Sequence, residues 1–376
     1  MMTTEQTAFF ELVRAGLWGT PADPSAFGPG TDWNALYDRA RSQTLLGIVL
    51  DGIQTLPGEL RPDRTLYLRW CASVLRIEES NRKLNEEVGK VFALLRGHGI
   101  EPVLLKGQGA ARNYPEPLHR QCGDIDIYTG KDNFARANGL LRIEGTEDHE
   151  ANFKHSSFRW HGVSVENHRL ACQMRAPRAD RRLQRNIASW QRDGGALRFP
   201  LGDCEVTVPP VEFDAVFLLQ HSVSHLLDIG IGLRQTCDWA CLLHVNRDRI
   251  DRGAVARELS ALGLDRAART FGALAVRCLG LPPEDLPLPF GPEDEKTAQW
   301  LLGVIWNSGN FGKSDTTAKA RPAGYWRGKW HFFCSLFERR RNFSRIVPDE
   351  AFWAPFRAVS NFITSQRFRR RRSPLV

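Results

Sequence analysis

The sequence lacks a long apolar run and a dense set of paired cysteines. None of its apolar stretches approaches the roughly 20 residues that a membrane-spanning helix needs, and the start, MMTTEQTAFFELVRAG, lacks the basic-then-apolar order of a secretory signal. The eight cysteines include no CxxC pair and are scattered along the chain, which excludes the disulfide framework of a small secreted domain. We therefore expect a cytoplasmic protein with reduced cysteines.

The composition is that of a folded globular protein. Of the 376 residues, 42% are hydrophobic and 25% are charged, far from the low hydrophobicity and high charge of a disordered chain. No internal repeat at a fixed period is present, and the length favours two or three packed parts over one. We expect a chain that is folded almost throughout.

Positive charge is concentrated at the C-terminal end. The net charge is +8, but residues 321–376 alone carry 13 Lys and Arg against three acids. The last basic element, Arg367–Arg372, has the charge to contact RNA or another phosphate-rich partner. A solvated tail is the ordinary interpretation of such a segment, and both interpretations remain open at this point.

The hydrophobic pattern changes twice along the chain. Apolar residues recur at helical spacing within 3–18, 33–54 and 63–97. Short strands joined by turns follow between 100 and 208, and helical spacing returns from 211. These patterns predict an α+β fold, in which a small mixed β-sheet core is flanked by N-terminal and C-terminal helical lobes. The predicted boundaries are 1–98, 99–208 and 209–376.

Two aspartates on one predicted strand are the first candidates for chemistry. Asp124 and Asp126 are two residues apart, so on a strand they project from the same face while Ile125 and Ile127 enter the core. Two carboxylates so close together repel each other unless a cation lies between them. Oxygen ligands of this kind suit Mg²⁺, which completes its coordination with water and substrate phosphates.

A third acid lies on another predicted strand. Glu166 alternates with apolar residues and shares a face with His168. If its strand neighbours that of Asp124 and Asp126, three carboxylates converge. Such a site can hold two metal ions that assist in-line displacement at a nucleoside triphosphate.

A glycine-containing turn precedes the aspartates. In the run Lys106-Gly107-Gln108-Gly109, the two glycines allow backbone amides to approach a triphosphate closely, and Lys106 adds a positive charge. The same residues are also compatible with an ordinary strand-to-helix turn.

Six short motifs occur along this part of the chain. They are LLKG at 104–107, Tyr-Pro at 114–115, Arg-x-x-Gly-Asp-Ile-Asp at 120–126, Val-Glu-x-His at 165–168, His-x-x-x-His at 221–225 and Leu-Arg-Gln-x-x-Asp at 233–238. Taken together, these motifs resemble the uncharacterised nucleotidyltransferase family of bacteria, which belongs to the DNA polymerase beta-like nucleotidyltransferase superfamily.

The resemblance covers roughly 35–290. It implies a nucleotidyltransferase core whose Gly-rich turn holds the triphosphate, with Asp124 and Asp126 as metal ligands and Glu166 as the third acid. One departure is that Gln108 follows Gly107, where the superfamily usually has Ser or Gly.

Four further residues are candidates for the same site. Arg120 either contacts a phosphate or supports the aspartate strand. His168 is either a partner of Glu166 or a residue on the acceptor side. The resemblance implies that His225 and Arg234 face the cleft, although Arg234 and Asp238 are also spaced to form a simple i,i+4 ion pair.

The predicted function is transfer of a nucleoside monophosphate from an NTP, with ATP as the expected donor, to an acceptor, with Mg²⁺ or alternatively Mn²⁺ as the cation. The acceptor is unidentified, and small molecules, peptides and RNA all remain open. Two alternatives are an inactive nucleotide- or RNA-binding module and a toxin-like nucleotidyltransferase that modifies tRNA. No membrane partner is expected.

Overall fold

The N-terminal region of the protein is helical, as the sequence predicts. A computed structural model describes residues 2–148, 154–192, 194–310 and 324–372. Thr3 caps the first helix in a capping box with Gln6, and Asp63 caps the longest one by accepting from the amides of Thr65 and Leu66. The four helices are α1 (Thr4–Trp18), α2 (Trp33–Ser42), α3 (Leu46–Thr55) and α4 (Arg64–Gly97).

The middle of the chain contains the strands. Its elements are β1 (Val103–Leu104), α5 (Lys106–Ala111), β2 (Ile125–Tyr128), α6 (Gly130–Glu144), β3 (Gly145–Glu147), β4 (His155–Trp160), β5 (Val163–His168), α7 (Pro177–Arg192), β6 (Leu197–Leu201) and β7 (Cys204–Val208). Five strands form one sheet in the order β1-β2-β5-β4-β3, and β6 pairs only with β7. Within the five-stranded sheet β2 and β5 are parallel and the other pairs are antiparallel. The sheet is therefore small and mixed.

Helices make up the rest of the described chain. They are α8 (Val211–Asp228), α9 (Leu233–Val245), α10 (Arg252–Ala261), α11 (Asp265–Leu274), α12 (Pro292–Ser308), α13 (Tyr325–Phe343) and α14 (Pro348–Arg372). The predicted α+β fold class, with helical regions on both sides of a small mixed sheet, is confirmed. Within the described residues, none of these helices combines the length and the apolar character that crossing a bilayer requires.

The hydrophobic residues form two cores that do not follow the chain order. One core joins the inner face of the sheet to the second half of α4, through residues such as Ile125, Val165 and Phe92. The other joins the N-terminal helices to the C-terminal helices. Buried Gln43 connects the N-terminal helices to the C-terminal helices, because its Nε2 donates to the Ile305 carbonyl at 3.0 Å and its Oε1 accepts from the Leu233 amide at 2.8 Å. The predicted three-part division of the chain remains a prediction.

The basic segment Arg367–Arg372 lies at the end of α14. The helix includes its backbone, but its side chains lie outside the described part of the structure. The partner predicted for this segment therefore remains a prediction.

Two glycines allow α1 and α3 to cross at backbone contact. A Cβ atom on Gly16 would lie 1.9 Å from the Ile48 carbonyl oxygen, and one on Gly52 would lie 2.2 Å from that of Leu12. We expect Gly16→Ala to lower the free energy of unfolding by about 1–3 kcal/mol, because the helices must separate. Urea unfolding measures this change.

The matched control is Gly139→Ala in α6, where no atom lies within 4 Å of the added methyl group. This substitution should raise the free energy of unfolding by about 0.5–1 kcal/mol, because alanine favours the helix. Equal unfolding midpoints for the two variants would contradict the close crossing.

Candidate active site

A cleft of about 410 Å³ separates the polar face of the sheet from α8 and α9. The sheet and the turn before α5 contribute the charged side chains of one wall, and α8 and α9 contribute histidines and an arginine to the other. The predicted site residues that line the cleft are Lys106, Gly107, Arg120, Asp124, Asp126, Glu166, His168, His225 and Arg234.

The parallel pairing of β2 and β5 brings the three acids together. Asp126 and Glu166 are direct partners in the register, so their side chains project from the same face, and Asp124 lies just before β2. One carboxylate oxygen from each of the three lies within 4.8 Å of the others. The strand alternation that suggested this convergence thus matches the observed geometry.

Asp126 is the most buried of the three acids, with 1% of its surface exposed. Its Oδ1 lies 2.8 Å from Lys106 Nζ and 2.8 Å from His168 Nε2. Burial alone would raise the pKa of Asp126, but the charges of Lys106 and His168 hold it well below its ordinary value. Its Oδ2 is buried and has no hydrogen-bond partner among the described residues. A buried carboxylate oxygen without a partner fits a cation-binding position.

Asp124 experiences the opposite effect. The neighbouring charge of Asp126, together with burial, raises the pKa of Asp124 to about 6. A divalent cation between the two carboxylates would remove this repulsion. The donor set of Asp124, Asp126 and Glu166 consists of hard oxygen atoms, the ligands that Mg²⁺ prefers.

The turn at the start of α5 has an unusual backbone. Lys106 has a φ of +27° and Gly107 a φ of +44°, and such values favour glycine. The non-glycine residue is held there by its ion pair with Asp126 and by the adjacent Leu105 amide, which donates to the Asp126 carbonyl at 2.9 Å. A Cβ atom on Gly107 would lie 3.4 Å from the Asp124 carbonyl oxygen. The turn is therefore joined directly to the aspartate strand.

Comparison with known proteins agrees with this arrangement. The family model described as "Uncharacterised nucleotidyltransferase" matches residues 29–280. The chain belongs to this family. The match includes the sheet and every acid of the cleft, and it ends before α12. No curated protein shows a significant similarity to the chain.

Two predicted residues of this nucleotidyltransferase lie away from the cleft. Gln108 is 2% exposed, and neither atom of its amide group has a partner among the described residues. It lines a different cavity, of about 920 Å³, between α4, α5 and the tip of the β6–β7 hairpin. Gly109 packs on the Leu104 carbonyl oxygen, which would lie 3.3 Å from an added Cβ. Neither residue is among those that line the cleft.

Arg120 reaches the cleft wall, but its guanidinium is bound within the protein. Its Nε and Nη2 donate to the two carboxylate oxygens of Asp238 at 3.0 and 2.7 Å. The Tyr114 hydroxyl donates to the same carboxylate at 2.7 Å. These contacts favour the supporting role of Arg120 over a phosphate contact. Arg120 and Tyr114 are therefore the hydrogen-bond partners of Asp238, in place of the i,i+4 ion pair with Arg234 that the spacing allowed.

Arg234 instead extends toward the loop before β2. Its Nη1 donates to the Gln121 carbonyl at 2.6 Å, while its Nε is buried and has no partner among the described residues. Because this side chain lines the cleft, its Nε is a candidate donor to an anionic ligand.

The histidines of the cleft differ in the direction in which their pKa values are shifted. His225 contacts His221 edge-on at 4.3 Å between ring centroids, and burial lowers the pKa of His225 to about 4. Burial also acts on His168, but its hydrogen bonds with Asp126 and Glu166 prevail and raise its pKa. His155, which sequence reasoning missed, faces His168 across the β4–β5 pair. The alternation of β4 was the signal that could have identified it.

We expect Asp124→Asn to stabilise the protein at pH 7.5 in the absence of divalent cations. The folded state holds the Asp124 proton more tightly than the unfolded state, so stability is lost as the pH rises from about 4 to about 6. Removing this charge should raise the free energy of unfolding by at most about 3 kcal/mol at pH 7.5. At pH 4 the effect should be small. Urea unfolding in EDTA at the two pH values measures both.

Asp126→Asn provides the contrast. It removes the common partner of Lys106 and His168 and should lower the free energy of unfolding at pH 7.5 by about 3–5 kcal/mol. If both variants destabilised the protein equally at pH 7.5, the assignment of opposite roles to the two aspartates would be wrong.

Proposed function

We propose that this nucleotidyltransferase transfers a nucleoside monophosphate from an NTP, with ATP the expected donor, to an acceptor hydroxyl, amine or phosphate. One observation supports the proposal above the others. Three carboxylates from two parallel strands converge within 4.8 Å in a cleft, and the most buried of them has an oxygen without a partner among the described residues. Buried polar atoms without a partner are uncommon in proteins, and this one belongs to a carboxylate that lines the cleft beside two others.

Asp124, Asp126 and Glu166 are the residues that would hold the divalent cation, Mg²⁺ or alternatively Mn²⁺. When bound, the cation neutralises charge on the triphosphate and on the oxygens that attack and leave. The protein contributes the position of these ligands. His168 fixes Asp126 at 2.8 Å and lies 3.4 Å from Glu166 Oε2, so it orients two of the three acids.

Basic side chains that line the cleft supply positive charge for the phosphates. Arg234 has a buried Nε without a partner among the described residues, and Lys154 lines the same cleft. The Gly107 backbone lies at the junction of turn and cleft, where it permits a close approach of the triphosphate. Burial lowers the pKa of Lys154, which reflects the cost of a charge in this cleft before an anion is bound.

The acceptor is the open part of the proposal. Small molecules, peptides and RNA, including tRNA for a toxin-like enzyme, are distinguished by the fraction of a cell extract that takes label. An inactive binding module would label none of them. We place the reaction in the cytoplasm, where nucleoside triphosphates are abundant.

We expect label transfer when the protein is incubated with each labelled NTP, Mg²⁺ and an extract separated into RNA, protein and small-molecule fractions. Asp124→Asn should reduce transfer at least about 10³-fold, because several kcal/mol of transition-state stabilisation depend on the cation. This variant is preferred because it relieves repulsion in the folded state, so lost activity is not lost fold. Glu79→Gln, on an exposed position of α4, is the matched control. Undiminished transfer by Asp124→Asn would refute the proposal.

We also expect Arg234→Lys to raise the KM for the NTP about tenfold and to change kcat less. Lysine keeps the charge but loses the Nε donor that has no partner among the described residues, and a charge-assisted hydrogen bond is worth about 1.5 kcal/mol. Steady-state kinetics at saturating acceptor measures the effect. Arg182→Lys, in an exposed ion pair with Glu258, is the control. An unchanged KM in the Arg234 variant would remove this residue from the nucleotide site.

A further inference from the structure

A second group of metal-binding side chains lies beside the three carboxylates. His155 on β4 and His168 on β5 are direct partners in the antiparallel register, so both project from the polar face of the sheet. With Glu166 they form a cluster in which one ligand atom from each lies within 4.8 Å of the others. Glu166 belongs to this cluster and to that of the aspartates.

The distances within the cluster are compatible with a shared ion. His168 Nε2 lies 3.4 Å from Glu166 Oε2, and His155 Nε2 lies 3.9 Å from Glu166 Oε1. Two atoms that bind the same ion at about 2.1 Å are separated by no more than about 4.2 Å. Only small side-chain movements are therefore needed to bring the three donors onto one ion.

The donor types differ from those of the neighbouring position. Imidazole nitrogens are typical ligands of Zn²⁺ and other first-row transition metals, whereas Mg²⁺ takes oxygen ligands. The aspartate position offers only oxygens, while the histidine position offers two nitrogens and one oxygen. The two halves of the site thus favour different metals.

We propose that His155, Glu166 and His168 bind a first-row transition-metal ion, with Zn²⁺ as the expected occupant, next to a position that takes Mg²⁺. The Mg²⁺ position rests on the proposed function, whereas the site formed by His155, Glu166 and His168 does not. Asp126 keeps Lys106 as a partner if His168 turns its nitrogen to the ion. The family description does not specify such a mixed site.

Metal binding to the full-length protein tests the proposal directly. The chelator-treated protein is titrated with Zn²⁺ alone in competition with a chromogenic chelator, and then separately with Mg²⁺. We expect His155→Ala to weaken Zn²⁺ binding at least about tenfold and to leave Mg²⁺ binding unchanged. His98→Ala, which removes an exposed histidine at the end of α4, controls for nonspecific binding and should match the wild type.

A spectroscopic measurement on the wild type avoids any folding defect of a variant. With Cu²⁺ bound in place of Zn²⁺, pulsed electron paramagnetic resonance should detect coupling to ¹⁴N nuclei of directly bound imidazoles. A site of carboxylates and water gives no such coupling, so a purely structural role for the histidines predicts its absence. The coupling should become weaker in His155→Ala, which retains only His168.

The two proposals fail separately. If Zn²⁺ binds His155→Ala within twofold of the wild type, or if bound Cu²⁺ shows no nitrogen coupling, the histidine site is overturned. Label transfer with Mg²⁺ is measured in the same wild-type preparation, and its presence would leave the proposed function intact. Absent transfer together with histidine-dependent Zn²⁺ binding would overturn the function and retain the metal site.

Discussion

The buried charge of Asp126 is the constraint around which this part of the molecule is organised. A carboxylate with 1% exposure is stable in a protein only when neighbouring groups compensate for its lost hydration. Lys106 and His168 provide this compensation, each 2.8 Å from the same oxygen. To reach it, Lys106 adopts a positive φ at the start of α5. The shape of the turn, the position of the histidine and the repulsion felt by Asp124 all follow from this one charge.

The C-terminal helices complete the site rather than merely cover it. Asp238 on α9 binds Arg120 and Tyr114, which both lie in the loop between α5 and β2. Arg234, one turn earlier on the same helix, binds the Gln121 carbonyl of that loop. This loop determines the position of Asp124. A helix more than a hundred residues away therefore fixes the position of a candidate metal ligand. Rigid support of this kind is what a preorganised active site requires.

Local patterns in the sequence were enough to predict part of the site. Strand alternation placed Asp126 and Glu166 on one face, and the observed register pairs them directly. The fold class could be predicted in the same way, because the change from helical to strand spacing is a local signal, and the structure confirms it. Contacts between distant residues could not be predicted in this way.

Three residues illustrate the difference. The glycine spacing suggested that Gln108 lies at the nucleotide, but the backbone of the turn directs it into the neighbouring cavity. Arg120 has the charge for a phosphate, yet its partner lies 118 positions further along the chain. The alternation of β4 places His155 on the polar face, but its closeness to Glu166 depends on how β4 aligns with β5. Residue type indicated the chemistry, while long-range pairing decided which residues meet.

The packing of α1 against helices near residue 300 affects how the protein folds during biosynthesis. Phe9 and Phe10 of α1 pack against Trp306 of α12, with ring centroids 5.3 and 5.8 Å apart, and Arg14 donates to the Cys278 carbonyl. At roughly 5–20 residues per second, the ribosome needs on the order of 15–60 seconds to produce these partners after α1 has emerged. Throughout that interval the first helix lacks its contacts with α12 and with Cys278. The nascent chain therefore has an obligatory period of exposure to chaperones and to aggregation, set by its topology rather than by its stability.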